Sequence, residues 1–179
     1  GITKITVEEK NPSYSSDSYG VLFNKNKTIL IQYPCNNSRT KYQIPDTVTS
    51  IESCAFEGCS MLISITIPDG VTSIESQTFK DCSNLVSITI PDSVISIGYE
   101  AFNCCSSLIS VTIPYGVTSI ENFTFNECSK LISVTIPNSV TSIGNSAFSD
   151  CSSLESISIP DSVTSIGSHM FCYCSSLTN

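Results

Sequence analysis

The ten cysteines are the residues of this sequence with the most chemical potential. Six of them recur at one constant interval: Cys59, Cys82, Cys105, Cys128, Cys151 and Cys174. Each stands three residues after a phenylalanine, a context typical of a small buried side chain. Equivalent cysteines of adjacent repeats would have parallel Cα–Cβ vectors, which suits a disulfide badly. We therefore expect buried free thiols at these six positions.

The other cysteines and the single histidine offer little further chemistry. Four cysteines lie outside the periodic set, and their disulfide state stays open: Cys35, Cys54, Cys104 and Cys172. Cys104 occupies a variable position of the repeat, so we expect it to be exposed. His169 lies near Cys172 and Cys174, but zinc sites usually need two paired Cys or His motifs, so we expect no metal site. No serine is singled out for a Ser–His–acid triad, and the sequence therefore predicts no catalytic residue, no cofactor and no enzyme.

Composition and charge restrict the classes of partner. The chain has 179 residues, 40% of them hydrophobic, which predicts a folded domain. Its net charge of −8 argues against nucleic acid or an anionic lipid surface as partner. No apolar run approaches the roughly 18 residues of a membrane helix, so we expect no membrane insertion. The charge is uneven: residues 1–43 carry six basic and three acidic side chains, whereas residues 44–179 carry two and thirteen.

The interval that separates the periodic cysteines belongs to a repeat of the whole sequence, and this repeat determines the predicted fold. Proline recurs at the same interval from Pro45 to Pro160, phenylalanine from Phe56 to Phe171, and leucine from Leu62 to Leu177. One such unit cannot bury its own apolar side, so the units must stack into a solenoid. We interpret residues 1–179 as a single repeat domain. Residues 1–43 form a first rung with a β-hairpin insertion at 8–38, and residues 44–179 form six repeats, the last truncated.

Each unit contains three predicted segments. Ile65, Thr66 and Ile67 alternate in polarity, which favours a short strand, and Pro68 ends it. Residues 71–74 form a second extended segment. The three-residue spacing of phenylalanine and cysteine then favours a turn of α- or 3₁₀-helix. Strands of the first kind are predicted at 4–7, 41–44, 64–67, 87–90, 110–113, 133–136 and 156–159.

These units resemble the BspA-like branch of the leucine-rich-repeat superfamily, whose pattern is L-x-x-I-x-I-P-x-x-V-x-x-I-G-x-x-A-F-x-x-C-x-x. Residues 85–107 (LVSITIPDSVISIGYEAFNCCSS) match it at almost every position, and residues 19–34 are similar to the family's hairpin insertion. The resemblance implies a β-rich α/β fold: a right-handed leucine-rich-repeat solenoid with a parallel sheet on one face and short helical or 3₁₀ turns on the other. It also implies a cell-surface or secreted protein, because members act in adhesion to host matrix and to other cells.

The outward positions of the predicted strands repeat as well. They carry small hydroxyls in two rows: Ser64, Thr66, Ser87, Thr89, Ser110, Thr112, Ser133, Thr135, Ser156 and Ser158. One interpretation is a solubilising surface that favours β-structure. The other is a flat face that hydrogen-bonds an extended partner, such as a segment of a matrix protein or a glycan.

The turn after each proline adds a third row of candidate contacts. Its members are Asp46, Asp69, Asp92, Tyr115, Asn138 and Asp161. Stacked carboxylates could hold a cation, but Asp is also a common turn residue, which explains the row as well. We include Lys41, Gln43, Asp69, Asp92, Tyr115 and Asn138 in the predicted partner-binding surface. Tyr115 is the favoured contact because aromatic residues contribute much of the energy of interfaces. Tyr99 and Phe123 could form a second patch on the opposite side.

The sequence thus predicts a non-enzymatic scaffold that binds an extracellular matrix or host cell-surface protein, or a glycan, through its strand face. The alternative is a structural spacer that carries a functional domain elsewhere in the parent chain. An open terminal rung also predicts end-to-end self-association.

Overall fold

The fold is a β-solenoid in which each coil corresponds to one unit of the sequence repeat. The structure is a computed structural model that describes residues 1–178. Each regular coil contributes a three-residue strand and, after a turn at proline, a two-residue strand. Equivalent strands of successive coils pair in parallel, so Ser64 is opposite Ser87 and Ile65 is opposite Ile88. This register brings residues with the same place in the repeat into contact.

The N-terminal part of the chain forms a small antiparallel sheet. Its strands are β1 (Tyr14–Ser16), β2 (Leu22–Asn24) and β3 (Ile29–Gln32), with β2 in the centre. Strand β3 also pairs in parallel with the first two-residue strand of the solenoid. Tyr33, which follows β3, stacks on Phe56 with ring centroids 5.2 Å apart. The end of the insertion is therefore itself the first coil of the stack.

Two parallel ladders run along the solenoid. The first consists of β4 (Lys41–Gln43), β6 (Ser64–Thr66), β8 (Ser87–Thr89), β10 (Ser110–Thr112) and β12 (Ser133–Thr135). The second consists of β5 (Ser50–Ile51), β7 (Ser73–Ile74), β9 (Ser96–Ile97), β11 (Ser119–Ile120), β13 (Ser142–Ile143) and β14 (Ser165–Ile166). The hydrogen-bonded pairing is interrupted between β8 and β10 in the first ladder, and between β5 and β7 and between β9 and β11 in the second, but the strands of each of these pairs lie in contact.

Stacked phenylalanines fill the centre of the solenoid. Phe56, Phe79, Phe102, Phe125 and Phe148 are fully buried. Their ring centroids are 5.3 to 5.5 Å apart from one coil to the next. The inward isoleucines and valines of both ladders and one leucine per coil surround this stack. Each coil therefore covers the apolar side chains of its neighbours.

The face opposite the first ladder differs from the prediction of short helices. Residues 1–178 contain no helix, and so none that is long and apolar enough to cross a membrane. Alternate amides there bond to the next coil, as in Phe56 N–H to Thr78 O at 3.0 Å. The amides between them close turns, as in Ala55 N–H to Glu52 O at 3.2 Å. Because every second amide bonds to another coil, a continuous helical pattern cannot form.

Left-handed residues shape these turns. Two positions in most coils have positive φ, for example Cys54 at 60° and Gly58 at 72°. An L-residue in this region ends a right-handed helical turn. The positive φ values could not be predicted from residue type, because these positions carry Gln, Glu, Phe, Ser, His, Asp, Cys and Tyr as well as glycine.

Two of the seven predicted rungs are not strands. At residues 4–7 the amides bond elsewhere: Ile5 N–H donates to Gly20 O at 3.0 Å and Val7 N–H to Ser16 Oγ at 3.1 Å. At residues 156–159, Ile159 is 39% exposed, whereas the equivalent Ile136 is 9% exposed. Residues 1–178 hold no later strand that could cover this segment.

We predict that truncation of the central aromatic stack is costly. Phe102→Ala should lower the free energy of unfolding by about 3–5 kcal/mol, because it empties a fully buried site between two other rings. Thr112→Ala on the exposed side of β10 should change it by less than about 0.5 kcal/mol. Urea unfolding followed by circular dichroism measures both. A larger loss for Thr112→Ala would mean that the inward and outward faces are exchanged.

Candidate functional site

The strand face presents two aligned rows of hydroxyls. The serine row is Ser64, Ser87, Ser110 and Ser133, and the threonine row is Thr66, Thr89, Thr112 and Thr135; together we call them the hydroxyl rows. Strand pairing places Lys41 opposite Ser64 and Gln43 opposite Thr66, so these two side chains begin the rows. Of the fourteen predicted contact residues, Ser64 is half-buried and the others are exposed. The structure thus brings the predicted residues onto one continuous surface.

The hydroxyl rows differ from other hydroxyls of the repeat in their hydrogen bonding. Ser93 Oγ donates to Val71 O at 2.6 Å, and Ser139 Oγ to Val117 O at 2.8 Å, so these serines join successive coils. Thr78 and Thr124 are buried and bond to the carbonyl three residues before. Within residues 1–178, no side-chain hydrogen bond involves the eight hydroxyls of the rows. The hydrogen-bonding capacity of these hydroxyls is therefore available to solvent or to a partner.

An apolar row that sequence reasoning missed borders the serine row. Its members are Ile63, Val86, Ile109 and Ile132, each one residue before a strand, and we call it the apolar row. Ile63, Ile109 and Ile132 are 41 to 44% exposed. Their backbones are fixed, because Ile132 N–H donates to Ile109 O and Ile109 N–H to Val86 O. The signal in the sequence was the Ile or Val that follows each periodic leucine from Leu62 to Leu131. This residue is next to the alternating strand residues and therefore resembles a core residue.

The residue after each proline lies at the far end of the same strands. These residues form the turn row, which consists of Asp46, Asp69, Asp92, Tyr115, Asn138 and Asp161. Val71 N–H donates to Pro68 O at 3.1 Å, so Asp69 and Gly70 are the central residues of a turn. Tyr115 is 73% exposed at the equivalent position. Nowhere in residues 1–178 do three His, Cys, Asp or Glu side chains group as metal ligands would. The geometry explains the aspartates as turn residues with exposed side chains.

A cleft of about 320 Å³ lies where the insertion meets the first ladder. The Arg39 guanidinium stacks on the Tyr19 ring, 3.6 Å from its centroid. The Tyr42 hydroxyl donates to Asp17 Oδ2 at 3.1 Å, and burial together with this carboxylate raises the pKa of Tyr42. Lys41 and Gln43 also line the cleft. One end of the strand face thus carries two cations, of which Arg39 is held in place by an aromatic contact.

The periodic cysteines from Cys59 to Cys151 are buried in the core as predicted, whereas Cys174 is only half-buried in the last coil. From Cys82 to Cys174, each Sγ donates to the carbonyl of the phenylalanine 26 residues earlier, at 3.0 to 3.2 Å. Burial raises the pKa of Cys82 to about 12 and that of Cys105 well above its usual value, so these thiols stay protonated. Cys104 was predicted to be exposed, but it is half-buried beside Glu127. His169 is exposed.

The predicted second patch joins an ionic cluster. The rings of Tyr99 and Phe123 meet edge to face, with centroids 6.0 Å apart. Next to them, Lys80 Nζ and Gln77 Nε2 both donate to Glu100 Oε2. Burial by itself raises the pKa of Glu100, but hydrogen bonds from Lys80, Tyr99 and Gln77 outweigh it and bring this pKa down to about 2. The patch is therefore a structural contact between coils as well as an exposed surface.

The parallel ladders and the regular coils define a solenoid of the leucine-rich-repeat kind. The family profile described as "BspA type Leucine rich repeat region (6 copies)" matches residues 32–121 and 96–179. The chain belongs to this BspA-type leucine-rich-repeat family. No curated protein matches the chain.

Solved structures of bacterial leucine-rich-repeat proteins share the fold. A leucine-rich repeat protein from Eubacterium ventriosum is 35% identical, with a TM-score of 0.78 over 98% of this chain and 53% of its own. A leucine rich cell surface protein from Faecalibacterium prausnitzii is 37% identical, with a TM-score of 0.77 over 99% and 46%. A leucine-rich repeat protein from Bacteroides ovatus is 30% identical, with a TM-score of 0.79 over 97% of this chain and 52% of its own. The chain spans about half the length of these proteins.

We predict that Glu100 contributes to an acid-dependent loss of stability. Its pKa in the folded chain, about 2, lies below the value near 4.3 of an unfolded glutamate. Its contribution is therefore complete above about pH 5 and is lost as the pH falls towards 2. Glu100→Gln should flatten the fall of the urea midpoint between pH 5 and pH 2. Glu155→Gln, an exposed carboxylate, is the control; an equal effect of both variants would contradict the assignment.

Proposed function

We propose that this chain is a non-enzymatic protein-interaction scaffold of a cell-surface or secreted protein. In this proposal it binds an extracellular matrix or host cell-surface protein through the hydroxyl rows and the apolar row. The location is supported by the similarity to the leucine rich cell surface protein from Faecalibacterium prausnitzii. The family of solenoid repeats supports the role of a scaffold.

The proposal rests mainly on two features of one face: exposed apolar side chains, and hydroxyls that have no intramolecular hydrogen-bond partner among the side chains of residues 1–178. The apolar row exposes isoleucines side by side, and covering such surface is favourable by about 25 cal/mol per Å². The hydroxyl rows have no intramolecular side-chain partner within residues 1–178, so a partner's polar groups need to replace only water at these hydroxyls. An apolar strip bordered by polar groups is typical of protein-binding surfaces.

The spacing of the coils suits an extended partner. Equivalent residues of adjacent strands are about 4.8 Å apart, so a segment lying along the axis meets the same pair of groups at each coil. Exposed Asp69 and Asp92 lie along the edge of the strand face where the strands end, which favours basic side chains on that edge of the partner. Arg39 and Lys41 lie at the first coil, which favours an acidic group where the partner passes that coil. The partner is therefore a polypeptide of mixed charge rather than a nucleic acid.

We expect binding to immobilised fibronectin or fibrinogen with a dissociation constant in the micromolar range, measured by surface plasmon resonance. The double substitution Ile109→Ser with Ile132→Ser should weaken this binding by about tenfold or more, because it removes two of the three exposed isoleucines of the apolar row. Ile95→Ser is the matched control, since Ile95 is 61% exposed but lies outside that row. It should bind like the unchanged chain.

Two further variants map the turn row. Tyr115→Ala and Asp92→Lys should each weaken binding, the first by loss of an exposed aromatic contact and the second by charge reversal. Absence of binding at micromolar concentration to both proteins and to whole cells would contradict the proposal and favour the spacer. Equal losses for Ile95→Ser and the double variant would show that the apolar row is not the contact.

A further inference from the structure

Cys59 departs from the hydrogen-bonding pattern of the other periodic cysteines. By that pattern its Sγ would donate to the carbonyl of Tyr33, 26 residues earlier. Gln32 Nε2 instead donates to Tyr33 O at 3.1 Å. The Cys59 Sγ lies 2.8 Å from the Sγ of Cys35. Among the six periodic cysteines, Cys59 alone has a thiol as its hydrogen-bond acceptor in place of a backbone carbonyl.

One backbone and two side-chain hydrogen bonds hold the segment of Cys35 against the coil of Cys59. Tyr33 N–H donates to Ala55 O at 2.8 Å, and Gln32 Nε2 bonds to the same carbonyl at 3.2 Å. Cys35 Sγ also lies 2.9 Å from Glu57 O. The segment of Cys35 is thus bonded at three points to the coil that carries Cys59. A Cys35 thiol fixed in this way does not need a backbone rearrangement to reach Cys59.

We propose that Cys35 and Cys59 are a site of covalent modification, at which oxidation forms a disulfide bond between the insertion and the first regular coil. Cys35 is half-buried and can be reached by a small oxidant, whereas Cys59 is buried. The other periodic cysteines have parallel side chains and donate hydrogen bonds to backbone carbonyls, so we expect them not to form competing disulfides.

The environment of each thiol determines which of the two cysteines attacks first. The hydrogen bond from Cys59 lowers the pKa of Cys35, because it stabilises the thiolate. The pKa of Cys59 is raised, because its S–H donates to Cys35 and because it is buried. A thiolate is the nucleophile of thiol–disulfide exchange, so Cys35 attacks first and Cys59 resolves.

The reaction balances with a small-molecule disulfide such as oxidised glutathione. The Cys35 thiolate attacks one sulfur of glutathione disulfide, forms a mixed disulfide and releases one glutathione thiolate. Cys59 loses its proton and attacks the Cys35 sulfur, which releases the second glutathione. Two protein thiols are oxidised, one glutathione disulfide is reduced, and the two protons end on the two glutathione thiols.

The bond would close a ring that contains part of the charged cleft. Arg39, Lys41 and Gln43 lie between the two cysteines in the chain, and they line that cleft. Closing a loop of this length removes conformational freedom from the unfolded chain. Oxidation therefore fastens the insertion to the stack and holds the cleft in place.

The test is mass mapping of the full chain after native treatment with a glutathione redox buffer, acid quenching, and alkylation in denaturant. We expect a peptide pair linked through Cys35 and Cys59 as the main disulfide, with the other eight thiols alkylated. The oxidised chain should also melt roughly 5–10 °C higher than the reduced chain. Alkylation of both Cys35 and Cys59, or a link to another cysteine of equal abundance, would overturn the proposal.

Two variants separate this bond from general effects of oxidation. In Cys35→Ser, the difference in melting temperature between the oxidised and reduced forms should disappear. In Cys172→Ser, whose cysteine is half-buried and outside the periodic set, the difference should persist. Oxidation of the unchanged chain in urea should give several different disulfides, because the pair is held together only in the folded chain. Persistence of the difference in Cys35→Ser would also overturn the proposal.

Discussion

Each coil of this solenoid can bury its apolar side chains only against the coils before and after it, and this constraint governs the rest of the structure. A single coil is too short to enclose a core of its own. Hydrogen bonds between coils fix the register on three sides: in both ladders and through alternate amides of the turns opposite them. With the register fixed, phenylalanine stacks on phenylalanine at about 5.4 Å, and each cysteine from Cys82 onward meets a phenylalanine carbonyl.

A repeating interior produces a repeating surface. Residues one position away from the core rows are exposed in the same order on every coil, and this generates the hydroxyl rows and the apolar row without any dedicated pocket. Recognition on such a surface comes from many weak, equally spaced contacts. The irregular features lie at the insertion, where Arg39 stacks on Tyr19 and Cys35 meets Cys59. The insertion is thus the part of the chain that distinguishes one end of the scaffold from the other.

The period of the sequence predicted the inward residues and five of the first-ladder strands, because alternation and proline position depend only on local pattern. The helical turns were wrong, since the spacing of Phe56 and Cys59 is equally compatible with turns that share their amides with the next coil. The apolar row was missed because Ile109 directly follows buried Leu108 and resembles a core residue. The Cys35–Cys59 contact was missed because Tyr33 stands at the phenylalanine position of the period, but Cys35 follows it by two residues instead of three and so falls outside the cysteine series.

The most direct test of coil-on-coil register is deletion of one whole unit. Removing residues 85–107 joins Asn84 to Leu108, so Phe79 would stack on Phe125 and every row would stay aligned. Removing residues 85–106 instead leaves one extra residue in the coil at the junction, so this coil must bulge or turn its core residues away from its neighbours. Urea unfolding followed by circular dichroism should show a modestly lower midpoint for the first deletion and a much lower midpoint for the second. Equal tolerance of both deletions, or equal failure, would contradict the account.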